Sequence, residues 1–502
     1  MSKSDKQSKS LGYIIHIFRR DYRLHDNTTL IEACKKHEHV IPVFIFTDKQ
    51  INPDRNPYYS ANSVQFLCES LQDLDKQIKQ VGKQGSGGLY IFHGDEFDIL
   101  ADLIKLIPEL KSISFNRDYT KYSQERDSRI QELCSTSGIT CISQDDICLN
   151  PPGSIITTTG KTYTKFTPFW NTSASKNIHQ PDNYDYDYSD GECFLSHNSE
   201  IGKKLTKYKH TITMDSVMQE NGKIIREKYN PDIRVHGGRE NGLKILDKIK
   251  NWKHYNGEHD QLTYETTHLS AYNKFGCVSI REVYHTMIKS LGEGNGVVRQ
   301  LFWRDFFYHL SAKYPEIYQH ALNPRYRNIK WPGNDNRKNR DNFKAWQQGK
   351  TGFPVVDACM RELNTTGYMH NRGRLIVSSF LCRLMHVNWQ DGERYFATRL
   401  VDYDPAQNNF GWQVSGANSS GTTSRPLEQT ILNPWLQSAQ FDHDGHYIKK
   451  WCPELTTVPA ADLHKWDQRH QNWISKGINY PKPILDYKTE RENNLKMYRR
   501  YI

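Results

Sequence analysis

The stretch YIIHIFRRDYRLHDN, residues 13–27, decides between fold classes. Tyr13 to Phe18 is a nearly unbroken apolar, β-branched run, which suits a strand covered on both faces rather than one with a wet side. The same kind of run returns as VIPVFIF (40–46), LYIF (89–92), SISF (112–115) and TCIS (140–143), with longer amphipathic segments between. Buried strands alternating with helices predict an α/β, doubly wound parallel sheet. No G-x-G-x-x-G follows the first strand. FRRDYRLHDN (18–27) stands in its place, so a Rossmann-type dinucleotide site is not expected there.

At 502 residues the chain is too long for one ordinary core. Residues 1–11 read as a disordered tail and 12–150 as the α/β domain. Residues 151–234, with the polar, tyrosine-rich HQPDNYDYDYSDGE (179–192), read as a connector, and 235–502 as an all-α domain. LKILDKIKNW places Leu243, Leu246 and Ile249 on one helical stripe, and RLIVSSFLCRLM is apolar enough for a central buried helix. Lys and Arg exceed Asp and Glu by ten charges, which suits a polyanionic partner. The ten cysteines show no C-x-x-C pair or metal-finger spacing, so they are expected to be reduced thiols, with no metal site. The N-terminal MSKSDKQSKS lacks the apolar core of a secretory signal, and no apolar run nears the ~20 residues that span a bilayer. An intracellular soluble protein of cytoplasm or nucleus is expected, with no membrane contact.

Four stretches concentrate chemistry, and each has a plainer reading. In TTHLSAYNKFG (266–276), Thr266, Thr267 and Ser270 could donate to a phosphate or simply cap a helix. In RQLFWRDFFYHL (299–310), Gln300, Trp303 and Arg304 lie within about one turn, fit either to stack on a base or to pack an amphipathic helix. TGYMHNRGRLIVSSF (366–380) sets His370, Asn371, Arg372 and Arg374 at the start of the most apolar helix. Cations there oppose the macrodipole, which favours a functional reason for them. LVDYDPAQNNFGWQ (400–413) gathers two acids, two adjacent asparagines and a tryptophan.

These stretches, with FRRDYRLHDN, WQQGKTGFPVVDACMREL, WQDGERYFATRLVDYDPAQNNFGWQ and FDHDGHYIKKWCPEL, occur in an order that resembles the cryptochrome/photolyase family over residues 12 to 490. The resemblance implies an α/β antenna domain, a connector and a helical domain holding FAD in a folded U. It assigns Thr266, Thr267, Leu269 and Ser270 to the cofactor, its phosphates included, with Arg304 and Tyr255 assisting. Asp402, paired with Arg374, and Asp404 would face the flavin and its ribose side, and Asn408 would sit beside flavin N5. Trp412 would be the first ring of an electron relay continuing through Trp389 to Trp331. Gln300, Trp303, Asn371, Arg372, Leu375 and Val414 would contact a DNA lesion.

The activity so implied is a carbon–carbon lyase, most like a DNA photolyase, in which light drives an electron from reduced FAD to split a cyclobutane pyrimidine dimer in UV-damaged DNA. Gln300, Leu375 and Val414 depart from dimer-repairing relatives, which carry Glu, Met and Trp there, whereas Trp303 and Asn371 match. The (6-4) class is the alternative, although Asn371 and Leu375 stand where its two histidines would be. A blue-light receptor of the cryptochrome type, DASH forms included, is the rival from another class. A second, antenna chromophore (folate, deazaflavin or flavin) is implied without its identity, since Thr120 replaces the acid that holds a folate in some members. A monomer is expected.

Overall fold

The continuous apolar runs of the central strands form where both sides are buried; the last run, Thr140–Gln144 at the sheet edge, is only partly covered. Ile14 and Ile15 are both fully buried yet belong to different cores, Ile14 packing with Val40 and Phe44 and Ile15 with Ile41, Val43 and Ile45. The computed structural model describes residues 11–82, 87–183, 185–189, 191–334, 337–416 and 430–501. All but Leu11 of the expected tail therefore lies outside the described residues.

Five strands run parallel: β1 (Leu11–Ile17), β2 (His37–Phe46), β3 (Tyr90–His93), β4 (Leu110–Asn116) and β5 (Thr140–Gln144). The sheet order is β5-β4-β1-β2-β3-β6. β6 (Thr211–Ile212) is antiparallel to β3 and comes from the stretch read as a plain connector, so the sheet is not purely parallel. Polar composition hid this strand because an edge position needs only one buried face. The order reverses between β1 and β4, and that switch point opens a crevice at their carboxyl ends. Arg19 and Arg20 follow β1 there, and Asp118 to Thr120 follow β4.

One cysteine expectation fails. Cys34 and Cys193 form a disulfide across 159 residues of sequence. A backbone bridge between Val40 and Phe194 brings the second half of the connector beside β2, a juxtaposition that spacing cannot reveal.

The rest is helical. Leu269–Phe275, Gly296–Lys313, Asn371–Ser379, Trp389–Ala397 and Pro405–Gly416 surround the site described below. The expected central helix is buried as read, but its α-helical part ends at Ser379 and continues as a π turn, Phe380–Leu384. Among the described residues no helix is long and apolar enough to cross a membrane.

The two halves share a core, in which Phe66 stacks on Phe275 at 4.9 Å. They also share a buried ion network. Arg281, on Ile280–Leu291, donates to Asp26 at 2.7 Å and Asp146 at 2.8 Å, while Arg23 donates to Asp146 at 2.7 Å. Burial alone would raise the Asp26 carboxyl; the His179 hydrogen bond and the Arg281 and Arg23 charges outweigh it and bring it to about 2. Arg281→Met is expected to destabilise the fold by about 3–5 kcal/mol, because it takes the guanidinium from buried Asp26 and leaves Asp146 with Arg23 alone. A depressed carboxyl stabilises above its ordinary range and loses that contribution as pH falls. The melting-temperature gap between variant and wild type should therefore be full at neutral pH and narrow below about pH 4, where the variant can protonate Asp26.

Candidate functional site

The stretches singled out in the sequence meet around one cavity of about 590 Å³, within the ~300–1,000 Å³ typical of cofactor pockets. One end is lined by hydroxyls. His268 adopts a left-handed backbone, φ 53°, and caps Leu269–Phe275 without a side-chain hydrogen bond, which turns the chain so that Thr266, Thr267, Leu269 and Ser270 all line the cavity. Thr266 Oγ1 lies 2.9 Å from the Tyr368 hydroxyl, and Ser270 Oγ donates to Asp402 at 2.7 Å. Neither hydroxyl caps the helix; Thr267 Oγ1 accepts weakly from Leu269 N–H at 3.4 Å.

Arg374 reaches back from the first turn of Asn371–Ser379 and donates from Nη2 to both Asp402 oxygens, at 2.9 and 3.1 Å. The electrostatically misplaced cation is thus answered by a carboxylate across the cavity wall.

Asp404 lines the same cavity but is tied elsewhere. Its Oδ1 caps Pro405–Gly416 by accepting from Ala406 and Gln407 N–H, and its Oδ2 accepts from Arg20 at 2.5 Å and from the Tyr308 hydroxyl. Burial would raise this carboxyl, but Arg20 and Arg304 hold it below the usual range. The FRRDY motif therefore reaches the helical half through Arg20, whose Nη1 also donates to Asp118 and whose Nε donates to the Lys274 carbonyl.

Asn408 is oriented by a residue that sequence reading left without a role. Its Nδ2 donates to the Glu393 carbonyl at 3.1 Å and to Glu393 Oε1 at 3.0 Å. A backbone carbonyl only accepts, so the amide nitrogen must face Glu393, leaving the amide oxygen as the atom that Asn408 can offer to the cavity. Burial pushes the Glu393 carboxyl up to about 7, against hydrogen bonds from Asn408 and Tyr403. The signal was present, since Glu393 and Asn408 both fall in the WQDGERYF…AQNNFGW block, but they lie on two consecutive helices whose packing the sequence does not report.

Gln300, Trp303, Asn371, Leu375 and Val414 line the cavity, with Tyr255 and Arg304. Trp303 is held flat against Phe166, ring centroids 3.6 Å apart and planes 5° off parallel. Arg304 is partly committed, donating to the Ile147 and Asn273 carbonyls. Arg372 does not line the cavity. It pairs with Asp260 at 2.6 Å and lies over the Phe441 ring at 4.2 Å, because two residues along a helix from Arg374 is a rotation of roughly 200°.

Trp412 is buried in the cavity wall. A methyl group at Gly392 would meet its ring at 2.2 Å, and one at Gly416 would meet Trp389 Cβ at 2.4 Å, so these glycines let both indoles seat. Trp389 is buried behind the wall, and Trp331 is half-buried, edge-on to Tyr498 at 6.3 Å.

The cavity's chemistry fits FAD. Hydroxyl donors cluster at one end, the Asp402 carboxylate and the Asn408 amide oxygen supply acceptors of the kind a flavin edge needs, and the buried Asn273 Oδ1, on the lining, has no hydrogen-bond partner. A second cavity of about 540 Å³ opens at the β1/β4 switch point, lined by Lys49, Tyr58, Thr120, Tyr122, Arg126 and Tyr403 among others. Lys274 lines both cavities, and burial, with Arg20 nearby, lowers its amine to about 7. Thr120 caps Lys121–Thr136 by accepting from Ser123 N–H.

Comparison with known proteins agrees on both halves. Residues 14–183 match the DNA photolyase family model and 297–500 the model for the FAD binding domain of DNA photolyase. The deoxyribodipyrimidine photo-lyase of Alkalihalophilus pseudofirmus is 30% identical, across 96% of this chain and 97% of that enzyme. An archaeal photolyase from Sulfolobus tokodaii, solved with two FAD molecules, superposes with a TM-score of 0.78 at 31% identity, covering 97% of this chain and 100% of that one. A class III photolyase from Agrobacterium tumefaciens gives a TM-score of 0.78 at 28% identity over 99% of each chain. With the sheet, the hydroxyl-to-Asn408 cavity and full-length similarity in agreement, the chain belongs to the cryptochrome/photolyase family as a DNA photolyase.

Proposed function

We propose that this protein splits cyclobutane pyrimidine dimers in UV-damaged DNA with light, using FAD in the larger cavity. The observation that carries the reading is the convergence on one cavity of Thr266, Ser270, the Arg374–Asp402 pair and Asn408, with Gln300, Trp303 and Asn371 on the same lining. Bound FAD, fully reduced and excited by light, would supply one electron to the dimer and recover it after the ring opens, leaving no net redox change.

The chain's own residues do the rest. Thr266, Thr267 and Ser270 would hold the phosphates, Arg374 fixes Asp402 on the cavity lining, and Asn408, fixed by Glu393, would offer an oxygen to a protonated flavin N5. The flat Trp303 face is suited to stack against a damaged base flipped from the duplex. Gln300 is a neutral amide, able to donate to a lesion carbonyl but supplying no charge. The net charge of +10 suits the DNA backbone, so affinity should fall with salt.

The second cavity is the natural seat for an antenna. Its Lys49 and Arg126 cations and its stacked Tyr58–Tyr403 pair, rings 6.1 Å apart, suit a planar, anionic chromophore, and the Thr120 hydroxyl is already used as a cap. This favours a flavin or deazaflavin over a folate.

The test is an oligonucleotide with one cyclobutane dimer, incubated with protein carrying reduced FAD under blue light. Light-dependent restoration of the two pyrimidines is expected. No repair of that substrate, with repair of a (6-4) product, would replace the proposal. Repair of neither, with light-dependent binding to a protein partner, would favour a receptor.

A further inference from the structure

A smaller cavity of about 180 Å³ shares a wall residue, Tyr368, with the larger one. Tyr264, His268, His370 and Trp451 line it. Each carries a buried polar atom with no hydrogen-bond partner among the described residues: the Tyr264 hydroxyl, His268 Nδ1, His370 Nε2 and Trp451 Nε1. Buried polar groups are nearly always paired, so four orphans around one small cavity point to something that fills it. We propose that this cavity binds one phosphate ion, which steadies the turn that holds the cofactor; the second half of the proposal rests on reading the larger cavity as the flavin site.

The protons on these groups match that ion. Trp451 Nε1–H only donates. His370, 4% exposed, accepts an N–H from Arg372 on Nδ1 at 3.1 Å. Burial, with Arg372 and Arg374 nearby, lowers its ring to about 4, so at neutral pH its one ring proton sits on Nε2 as a donor. His268 is the reverse. Its Nε2 lies 2.7 Å from Glu265, whose carboxyl is brought to about 2 by the His268 hydrogen bond and by Arg234. The proton between them sits on Nε2, which leaves Nδ1 of the neutral imidazole as an acceptor. The cavity therefore offers two fixed donors, a hydroxyl and one acceptor. Hydrogen phosphate supplies bare oxygens for the first three and a P–O–H for His268, whereas sulfate has no proton to give. The acids on the lining are already answered: Arg234 lies 2.5 Å from Glu265, and the Tyr447 hydroxyl donates to Glu362 at 2.6 Å. Lys450, its ammonium 5.2 Å from the Trp451 ring, adds positive charge to the wall. The volume far exceeds the ~10–15 Å³ that one water needs.

The same turn serves both cavities. Thr263, Tyr264, Glu265 and His268 line the small one, while Thr266 and Thr267, between them in the chain, line the large one. The Tyr368 hydroxyl, on the shared wall, lies 2.9 Å from Thr266 Oγ1. A phosphate held by Tyr264 and His268 fixes the chain on both sides of Thr266 and Thr267, so FAD meets a turn that is already ordered. By linkage, phosphate and FAD then tighten each other's binding by the same factor.

The experiment is equilibrium dialysis of the full-length, FAD-loaded protein, freed of oxyanions, against radiolabelled inorganic phosphate. One saturable phosphate per chain is expected, with sulfate at least about tenfold weaker. FAD titrated into flavin-free protein should bind about fivefold or more tighter in phosphate than in chloride of equal ionic strength. Tyr264→Phe, which removes only a hydroxyl, and Trp451→Phe should each weaken phosphate binding about tenfold or more, with flavin content at saturating FAD unchanged. Ribose 5-phosphate as competitor separates the two sources of the group: it should not displace the free ion, and displacement would assign the cavity to the end of a phosphate ester. The proposal is overturned if no phosphate is retained, so that water alone fills the cavity, if sulfate binds as well as phosphate, or if neither variant weakens binding. It is also overturned if phosphate leaves FAD affinity unchanged or lowers it, the latter being the sign of competition in the larger cavity. Protein that takes up phosphate but no flavin would instead remove the cofactor reading and keep the anion site.

Discussion

Arg374→Ala should purify folded and colourless. Arg374 satisfies both oxygens of Asp402 and anchors itself on the Met369 carbonyl at 2.9 Å, and the Asp402 side chain is 4% exposed. Removing the guanidinium leaves a buried carboxylate without its cation, a change that typically costs about 3–5 kcal/mol. The carboxylate can escape by turning towards water. It then leaves the cavity lining and releases the Ser270 hydroxyl it holds at 2.7 Å. Ser270 belongs to the turn that carries Thr266 and Thr267, so one substitution disturbs two sides of the cofactor cavity. A loss of about 3 kcal/mol corresponds to a roughly 100-fold weaker affinity. Flavin absorbance per protein and titration with added FAD measure it. Arg374→Lys should fall between, since an ammonium keeps the charge but not the forked geometry. Full flavin occupancy in Arg374→Ala would show that the pair is structural only.

Trp412→Phe should lower photoreduction of the oxidised flavin to the level of free flavin in the same buffer. On the proposed reading Trp412 is the ring that passes electrons to the flavin: it lies on the cavity lining, edge-on to Phe396. Phenylalanine keeps a flat ring against Gly392 and preserves the packing, but it removes the oxidisable ring that the proposal makes the first step of the relay. Flavin content, read from the spectrum before illumination, separates a broken relay from a lost cofactor. Photoreduction at the wild-type rate would mean that electrons enter by a route that bypasses this ring.

What could be read along the chain was whatever a single element reports about itself. A strand buried on both faces must be apolar at every position, so YIIHIF and VIPVFIF declared a covered sheet, and the apolar stretch after Arg374 declared a central helix. The order of blocks pointed to the flavin cavity and to most of its lining. Pairings between distant residues have no such local signature. That Arg20 reaches Asp404, that Glu393 orients Asn408, that Cys34 meets Cys193 and that Trp346 stands beside Trp412 follows from how elements pack, and the sequence carries no period for that. The same limit explains Arg372, which shares a motif with Arg374 but is turned to Asp260 by the helix pitch. Sequence by itself determined the fold class and the chemistry available to the site, because burial and residue type are local quantities. Only the tertiary structure decided which charge answers which and where an electron can leave, because those depend on distances between elements far apart in the chain.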